Sequence, residues 1–545
     1  MMLSLLLSRI LGLVRDMVMA GMFGSNASTD AYTLAFSIPD LLFFLIAGGA
    51  LSSAFIPVFS EYIHTKREDD AWKIFSSVVT IMSAIVLTFI AVAWIFAIPL
   101  AQKVAPGKTD PAQIELIAHM SRIVLPAQYA FFIGGLMFGT LYAKQRFAVP
   151  GLGPNVYNIG IIFGAVVLSR IARLGIVGMS YGALIGACVG NLLIPALEMR
   201  KIGVKFKPAL DFSHPGVKKV FKLMIPVVFG LSLPGVYNLI MRGFASFYPE
   251  GTNTHLYYAN LLMQAPLGIF GQSLAIAVFP ALTQFYAEKR MDMFRRQLSS
   301  TLRTVIYLTV PVSAFMAVAS PQIVGALYQH GKFTGQDTVV VAAALQWFCI
   351  GIAAWCLHPV LMRGFFAIQN SVTPIVLGTV TTAVFVGLVF ALRNSALSFY
   401  CLPLASSISA ITLAILMGIF LFPRIGGFDL KGVFVTLGKS LVGTAVFAGT
   451  TYLVLQTRLG HITAGHKLAA LGLVILLALP GGAVYMTLTK AMGMPESAYL
   501  DKALQRLSRR RMPLPSDGGS IDPQVTSDGD IPDPDQDRVD STDAD

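Results

Sequence analysis

Arg9, Arg15 and Asp16 stand in the stretch SRILGLVRDMVMAGMFGSNASTDAY, residues 8–32, within a run that otherwise reads as a membrane helix. At 100° per residue, Arg9 and Asp16 fall within about 20° of each other on one helix face, with Gly12 between them and Arg15 on the neighbouring stripe. A charge at the bilayer centre costs about 2.5 to 3.5 kcal/mol, so such groups normally face a bundle interior or a water-filled cavity. An arginine fork holds phosphate oxygens bidentately, and the chemistry this pattern suits is a grip on an anionic, phosphate-bearing cargo. A plainer reading stands beside it: Arg9 snorkels to the interface, and Arg15 and Asp16 satisfy one another or a neighbouring helix. Asp40 follows Pro39 in the next apolar run, where proline frees backbone groups, and reads as a kink-satisfying or cavity residue.

The elements that must hold these charges are membrane helices. The chain has 545 residues, 55% of them hydrophobic and 12% charged, arranged in repeated apolar runs of about 20 residues, the length that crosses a bilayer core. Gly, Pro and charge punctuation divide the runs into about fourteen spans: 3–23, 31–62, 72–99, 115–143, 150–170, 176–199, 219–247, 255–286, 303–328, 338–363, 373–392, 397–422, 432–457 and 468–490. The expected fold class is an all-α polytopic membrane protein.

Orientation follows from Lys and Arg. With the N-terminus cytoplasmic, the outward loops hold Lys103, Lys108, Arg170, Arg173, Lys332, Arg393, Arg458 and Lys467, whereas the inward side carries clusters such as Arg200, Lys201, Lys205 and Lys207 or Arg509 to Arg511. This positive-inside pattern places both termini in the cytoplasm. The net charge of +12 then reads as topology plus attraction to anionic membrane lipid, not nucleic-acid binding. Cys188, Cys349, Cys356 and Cys401 lie inside apolar spans without CxxC spacing, so they read as packing residues. No cleavable signal peptide is evident, and the first span reads as an uncleaved helix. The tail at 513–545 is acidic and rich in Pro, Gly and Ser, the composition of a disordered cytoplasmic segment.

The chain repeats itself. Laid over itself with Gly48 on Gly271, it brings GGALSSAFIPVFSEY (48–62) over GQSLAIAVFPALTQF (271–285), pairing Pro57 with Pro280. In a register one position longer, LYAKQRFAVP (141–150) lies over FFAIQNSVTP (365–374), pairing Gln145 with Gln369. Six spans separate the copies, an even number, so the two lobes share an orientation. The expected organisation is an N-lobe at 1–200 (spans 1–6), a C-lobe at 219–424 (spans 7–12), and spans 13–14 at 432–490. Two such lobes enclose a central space, and rocking around it is the usual transporter use of such a repeat.

The second lobe places no Asp or Glu within an apolar core, so any coupling cation there must use carbonyls, hydroxyls or amides such as Asn238, Asn260, Gln264 and Gln272. HGKFTGQD at 330–337 reads as an ordinary turn. No P-loop, HExxH or GxSxG motif is present, so the sequence offers no seat for ATP hydrolysis, metal chemistry or other catalysis, and it calls for no cofactor.

SRILGLVRD, FGSNASTDAYTLAFSIPDLL, FIPVFSEY and LYQHGKFTGQDT, in this order, resemble the MurJ (MviN) family of bacterial lipid II flippases, within the multidrug/oligosaccharidyl-lipid/polysaccharide exporter superfamily. The resemblance covers all fourteen spans and excludes the acidic tail. It implies an inner-membrane protein that moves the undecaprenyl-pyrophosphate-linked muropeptide from the cytoplasmic to the periplasmic leaflet by alternating access. It also implies a lipid-tail groove at spans 13–14, and cell-wall synthesis proteins as partners to consider. Ser8, Arg9, Arg15, Asp16 and Asp30 match the family motif and inherit a substrate-binding expectation, with Asp40, Asn260 and Gln264 as weaker candidates. Coupling falls to the membrane potential or a monovalent cation.

Departures from the family pattern are specific. Phe43 and Phe44 follow PDLL where many members carry a basic residue, and Gly48 stands where a glutamate is common. In the eighth span YYANLLMQAP replaces an acid, an arginine and a glutamate with Asn260, Leu261 and Gln264. The first-span arginines therefore carry more of any pyrophosphate grip, and another lipid-linked oligosaccharide or an amphiphilic drug remains an alternative cargo.

Overall fold

Apolar runs with helix-forming residues and few internal breakers leave the chain one way to satisfy its backbone in lipid, by hydrogen bonding within helices. A computed structural model describes residues 2–43, 50–457 and 467–497, and every regular element among them is helical. The helices are α1 (Met2–Phe23), α2 (Ala27–Ala35), α3 (Ser37–Leu42), α4 (Ala50–His64), α5 (Glu68–Ile95), α6 (Ala97–Val104), α7 (Pro111–Ala143), α8 (Ala148–Ile171), α9 (Val177–Lys201), α10 (Pro215–Ala245), α11 (Thr252–Ala287), α12 (Met291–Val318), α13 (Ser320–Tyr328), α14 (Gly335–Cys349), α15 (Ile352–Ala367), α16 (Val372–Leu392), α17 (Ser398–Arg424), α18 (Leu430–Leu455) and α19 (Lys467–Ala491). The expected tail at 513–545, together with Phe44, Gly48, Arg458 and Arg509 to Arg511, lies outside the described residues.

Fourteen spans are not all recovered as uninterrupted apolar helices. Among the described residues ten helices are long and apolar enough to cross a membrane, or eleven if α14 and α15, bent by 47° at Ile350–Gly351, make one span. The expected first span is α1, which carries Arg9, Arg15 and Asp16. The second is broken at Phe36 between α2 and α3, and resumes as α4. The ninth starts at Met291 instead of 303 and ends at Val318, where Ala319 breaks the helix before α13.

The repeat read from sequence recurs in the backbone. The break at Phe96 between α5 and α6 is matched in the second half by the break at Ala319 between α12 and α13, with φ, ψ of −90°, 22° and −91°, 13°. Pro57 inside α4 matches Pro280 inside the second part of α11. Lys66 (φ 60°) and Lys289 (φ 58°) take the left-handed conformation just past a helix end, as do Gln145 and Gln369 (both φ 59°). At each of these turns the next amide reaches back to close the helix, as Arg67 N to Tyr62 O at 2.9 Å and Arg290 N to Phe285 O at 2.8 Å, the pattern that caps orphan carbonyls.

The buried side chains form two main clusters. One core cluster runs from Met19 to Val220, centred on Phe55, Phe59, Trp72 and Phe75. A second runs from Met241 to Ile425, with Ala20 of α1 joined to it. In the first half, α8 and α9 pack backbone to backbone: a Cβ on Gly160 would lie 2.5 Å from Gly186 Cα, the close approach that small residues permit in lipid. α18 packs along α12, and Arg303 of α12 binds Glu496 at 2.6 Å and Asp429 at 3.3 Å, fixing the last helices to the second half. Cys349, Cys356 and Cys401 are buried and Cys188 is half-buried, all as free thiols.

Candidate functional site

α1 lies at the junction of the two halves, packed along α8, and its charges divide between them. Asp16 is buried and Arg15 is largely so, with side-chain exposures of 2% and 21%. Arg15 Nη2 sits 2.9 Å from Asp16 Oδ1, and Arg15 Nε donates to the same oxygen at 3.0 Å. Arg15 Nη1 also donates to Asn158 Oδ1 of α8 at 3.2 Å. From the other half, the Tyr257 hydroxyl of α11 donates to Asp16 Oδ1 at 3.0 Å and accepts from Arg15 Nη2 at 3.2 Å. The contacts are those of the plainer reading: the two charges satisfy each other, and a tyrosine of the other half completes the network.

The common face of Arg9, Gly12 and Asp16 is used by different neighbours. Gly12 faces Asn158, whose Nδ2 donates to the Ser8 carbonyl at 3.3 Å. Arg9 is exposed, and its guanidinium passes over Gly268, where a Cβ would come within 2.8 Å of Nη1. Gly268 belongs to a wide π-turn, Leu267–Gln272, that follows Pro266 within α11. Proline removes an intrahelical donor and the helix widens behind it, so a side-chain-free surface is presented to the arginine.

Asp30 has a different setting. It is buried in α2, and its carboxylate accepts from Gly251 N at 2.8 Å, Thr254 N at 2.9 Å and Thr254 Oγ1 at 2.8 Å, with Lys108 Nζ at 3.8 Å. An acid from the first half therefore caps the N-terminus of α11 in the second, where orphan amides and the helix dipole favour negative charge. At the same end of the bundle Lys332 N donates to Gly21 O at 2.8 Å, and His255 Nε2 lies 2.9 Å from Asp337. The HGKFTGQD turn is a turn, as read, but one that docks on the end of α1. At the opposite end Lys219 binds Glu61 at 2.6 Å and Lys205 binds Asp69 at 2.7 Å.

Between these ends lies a cleft of about 120 Å³, lined by Thr33 of α2, Asn238 and Arg242 of α10, and Asn253, Tyr257, Asn260 and Gln264 of α11, among others. Arg242 Nη1 donates to Asp40 Oδ2 at 3.2 Å and to Ser37 Oγ at 3.1 Å. Gln264 Nε2 donates to Asn260 Oδ1. The structure thus brings Asn260 and Gln264 to one cleft, with Asp40 bonded to the Arg242 that lines it and Tyr257 linking it to the Arg15–Asp16 pair, while Asp30 lies at its capped end and Arg9 lies against the π-turn. Sequence reasoning missed Arg242, although a lone guanidinium in an apolar run was a readable signal. It also missed Asn158, Tyr257 and Asn253, neutral residues with no such signal. No group of three His, Cys, Asp or Glu side chains suited to a metal occurs among the described residues.

A helical membrane bundle whose halves repeat one another and enclose a polar cleft with an arginine in its wall is the architecture of a membrane transport protein. Residues 19–487 match the family described as Lipid II flippase MurJ. The chain belongs to that family. It is 32% identical over 384 residues to a probable lipid II flippase MurJ of Vibrio cholerae, covering 69% of this chain and 73% of the relative. It is 29% identical over 396 residues to one of Buchnera aphidicola, covering 72% and 76%. Among solved structures, lipid II flippase MurJ in an inward closed conformation superposes with a TM-score of 0.74 at 24% identity, covering 90% of this chain and 98% of that one. An inward-facing multidrug resistance transporter of the MATE family matches with a TM-score of 0.64 at 16% identity, covering 77% and 94%, which shows the shared fold.

Proposed function

We propose that this chain carries lipid II, the undecaprenyl-pyrophosphate-linked muropeptide, from the cytoplasmic to the periplasmic leaflet of a bacterial inner membrane, with both termini cytoplasmic and no covalent chemistry of its own. Family membership supports the cargo. The observation that carries the mechanism is the Arg15–Asp16–Tyr257 network, in which a first-span ion pair is completed by a phenol from the opposite half. Asp16 occupies the guanidinium fork that a pyrophosphate would take, so cargo competes with an internal anion and with a bond between halves. A ligand moves such an equilibrium only by its difference in affinity for the two states. Displacing Asp16 loosens the junction and provides that difference.

In this reading Arg9 and Arg15 engage the pyrophosphate, Ser8 and Asn158 orient α1, Asp40 holds the Arg242 that lines the cleft, and Asp30 holds the periplasmic end shut. The membrane potential drives net positive charge inward, which favours return of an empty arginine-bearing cleft. A monovalent cation is the other candidate for coupling.

A second reading, export of another lipid-linked oligosaccharide or an amphiphilic drug, is favoured by Asn260, Leu261 and Gln264, which leave one wall of the cleft without charge. The deciding experiment is conditional depletion of the native flippase, rescue by this chain, and measurement of lipid II in each leaflet, with cationic dyes and other lipid-linked glycans as competing cargo. Rescue with lipid II reaching the outer leaflet supports the first reading. Dye export without rescue supports the second.

A further inference from the structure

Asn253 begins α11 beside the Asp30 cap, is 4% exposed, and lines the cleft. Neither its Oδ1 nor its Nδ2 has a hydrogen-bond partner among the described residues. Both halves of a buried amide left unmatched is an uncommon arrangement, because buried polar side chains are nearly always paired. The neighbouring backbone does not explain it: Gly251 N and Thr254 N on either side are taken by Asp30.

Asn253 also has a register with other amides. Asn260 and Gln264 follow at seven and eleven positions in a continuous helical segment, Thr252–Pro266, which places all three within about 20° of a common line along α11. That line faces the cleft, which Asn238 of α10 also lines. The pair Asn260–Gln264 holds one mutual hydrogen bond, so each amide keeps further donor or acceptor capacity. The arginines on α1 and the amides on α11 thus form chemically distinct surfaces, one for anionic oxygen and one for neutral groups that donate and accept together.

We infer that Asn253, with Asn260 and Gln264, forms an amide rack that reads the neutral polar part of the cargo head, its acetamido and peptide amide groups, separately from the arginines that take the pyrophosphate. This inference rests on the flippase reading above and adds to it the origin of head-group selectivity. A side-chain amide accepts from one amide N–H and donates to the carbonyl of an adjacent amide, and Asn253 has both of its polar atoms unspent. A site built to hydrogen-bond a ligand group discriminates strongly against analogues that lack it, because its own buried polar atoms are then left unpaired. The rack therefore separates a lipid pyrophosphate carrying sugar and peptide from one carrying neither.

The test uses the full chain in nanodiscs and two probes, lipid II and undecaprenyl pyrophosphate, with affinities read by native mass spectrometry. Asn253→Leu, close to isosteric, should weaken lipid II binding about 10-fold while leaving undecaprenyl pyrophosphate within about twofold of the parent, as expected for loss of hydrogen bonds made to one probe alone. Asn260→Leu, at a half-buried position that tolerates the change, should repeat the pattern and keeps the test valid if Asn253→Leu does not fold. Equal weakening of both probes, or no change for either, overturns the rack while leaving the flippase reading intact. A parent chain that binds neither lipid overturns both.

Discussion

Tyr257 of α11 and Asp16 of α1 meet at 3.0 Å across the junction of the two halves, with the phenol donating to a buried carboxylate. The phenol oxygen also accepts from Arg15 at 3.2 Å, so one hydroxyl closes a three-residue ring. Separating α1 from α11 must break that ring.

Tyr257→Phe removes the hydroxyl and keeps the ring packing. Interhelical hydrogen bonds in membranes contribute about 0.6 to 2 kcal/mol, so the variant should melt a few degrees lower in detergent and keep its fold. Asp16→Ala should cost more, about 3 kcal/mol, because Arg15 is left largely buried without its counter-ion. Thermal unfolding of purified protein followed by tryptophan fluorescence checks the order, and a Tyr257→Phe loss larger than that of Asp16→Ala contradicts it.

Arg9 is exposed and lies over Gly268 without an ion pair among the described residues. Its truncation should therefore leave stability within about 0.5 kcal/mol, yet reduce lipid II translocation at least about 10-fold if the guanidinium binds pyrophosphate. Arg9→Ala and Arg9→Lys in a flippase-depleted cell separate charge from fork geometry: Lys should rescue in part. Normal growth with Arg9→Ala would remove this residue from the cargo site.

Asp30 spends three acceptor contacts on the start of α11. Asp30→Asn keeps the shape and loses the charge-assisted bonds, each about 1.5 to 3 kcal/mol. That end of the bundle should then open more often. A Ser25→Cys reporter, placed where Ser25 O approaches Gly251, should react about 10-fold faster with a membrane-impermeant maleimide, the factor that about 1.4 kcal/mol of lost latch produces. An unchanged labelling rate in a folded variant excludes the latch.

Gly331 has φ 57°, and a Cβ there would overlap the Gly21 carbonyl. Gly331→Ala should destabilise by about 2 kcal/mol or more through backbone strain and the clash between α1 and the 330–337 turn. Gly378 in α16 has nothing within 4 Å of the added methyl, and Gly378→Ala should instead stabilise by up to about 1 kcal/mol. Opposite shifts in melting temperature are the expected result.

Much of this was written in the sequence at the level of single helices. Apolar run length sets where most spans lie, and the overlay of the two halves paired Pro57 with Pro280 and Gln145 with Gln369, positions that the backbone treats alike. The first-span charges were legible because charge is rare in lipid. What stayed hidden were relations across the bundle. Asp30 matched a family motif, yet nothing in its neighbourhood indicates that it caps amides in the opposite half. Asn158 and Tyr257 carry no charge and break no periodicity, so only packing reveals them. The breaks at Phe36 and Ala319 fall on residues that hydropathy runs straight through. The prolines that follow, Pro39 and Pro321, sit in the first turn of the next helix, where proline is tolerated and does not by itself mark a break.

The four left-handed corners at Lys66, Gln145, Lys289 and Gln369 bear on ancestry. Each places a side chain where glycine is the comfortable choice, at a cost of roughly 1 kcal/mol or more. Two unrelated halves would have had to acquire the same two uncomfortable turns, at nearly the same spacing and with the same residue types. A duplicated segment acquires them once and copies them. The halves have since diverged around the cleft, where the first supplies the Arg15–Asp16 pair and Asp40 and the second supplies Arg242, a tyrosine and amides, while the corners that return the chain at the helix ends have kept their inherited backbone.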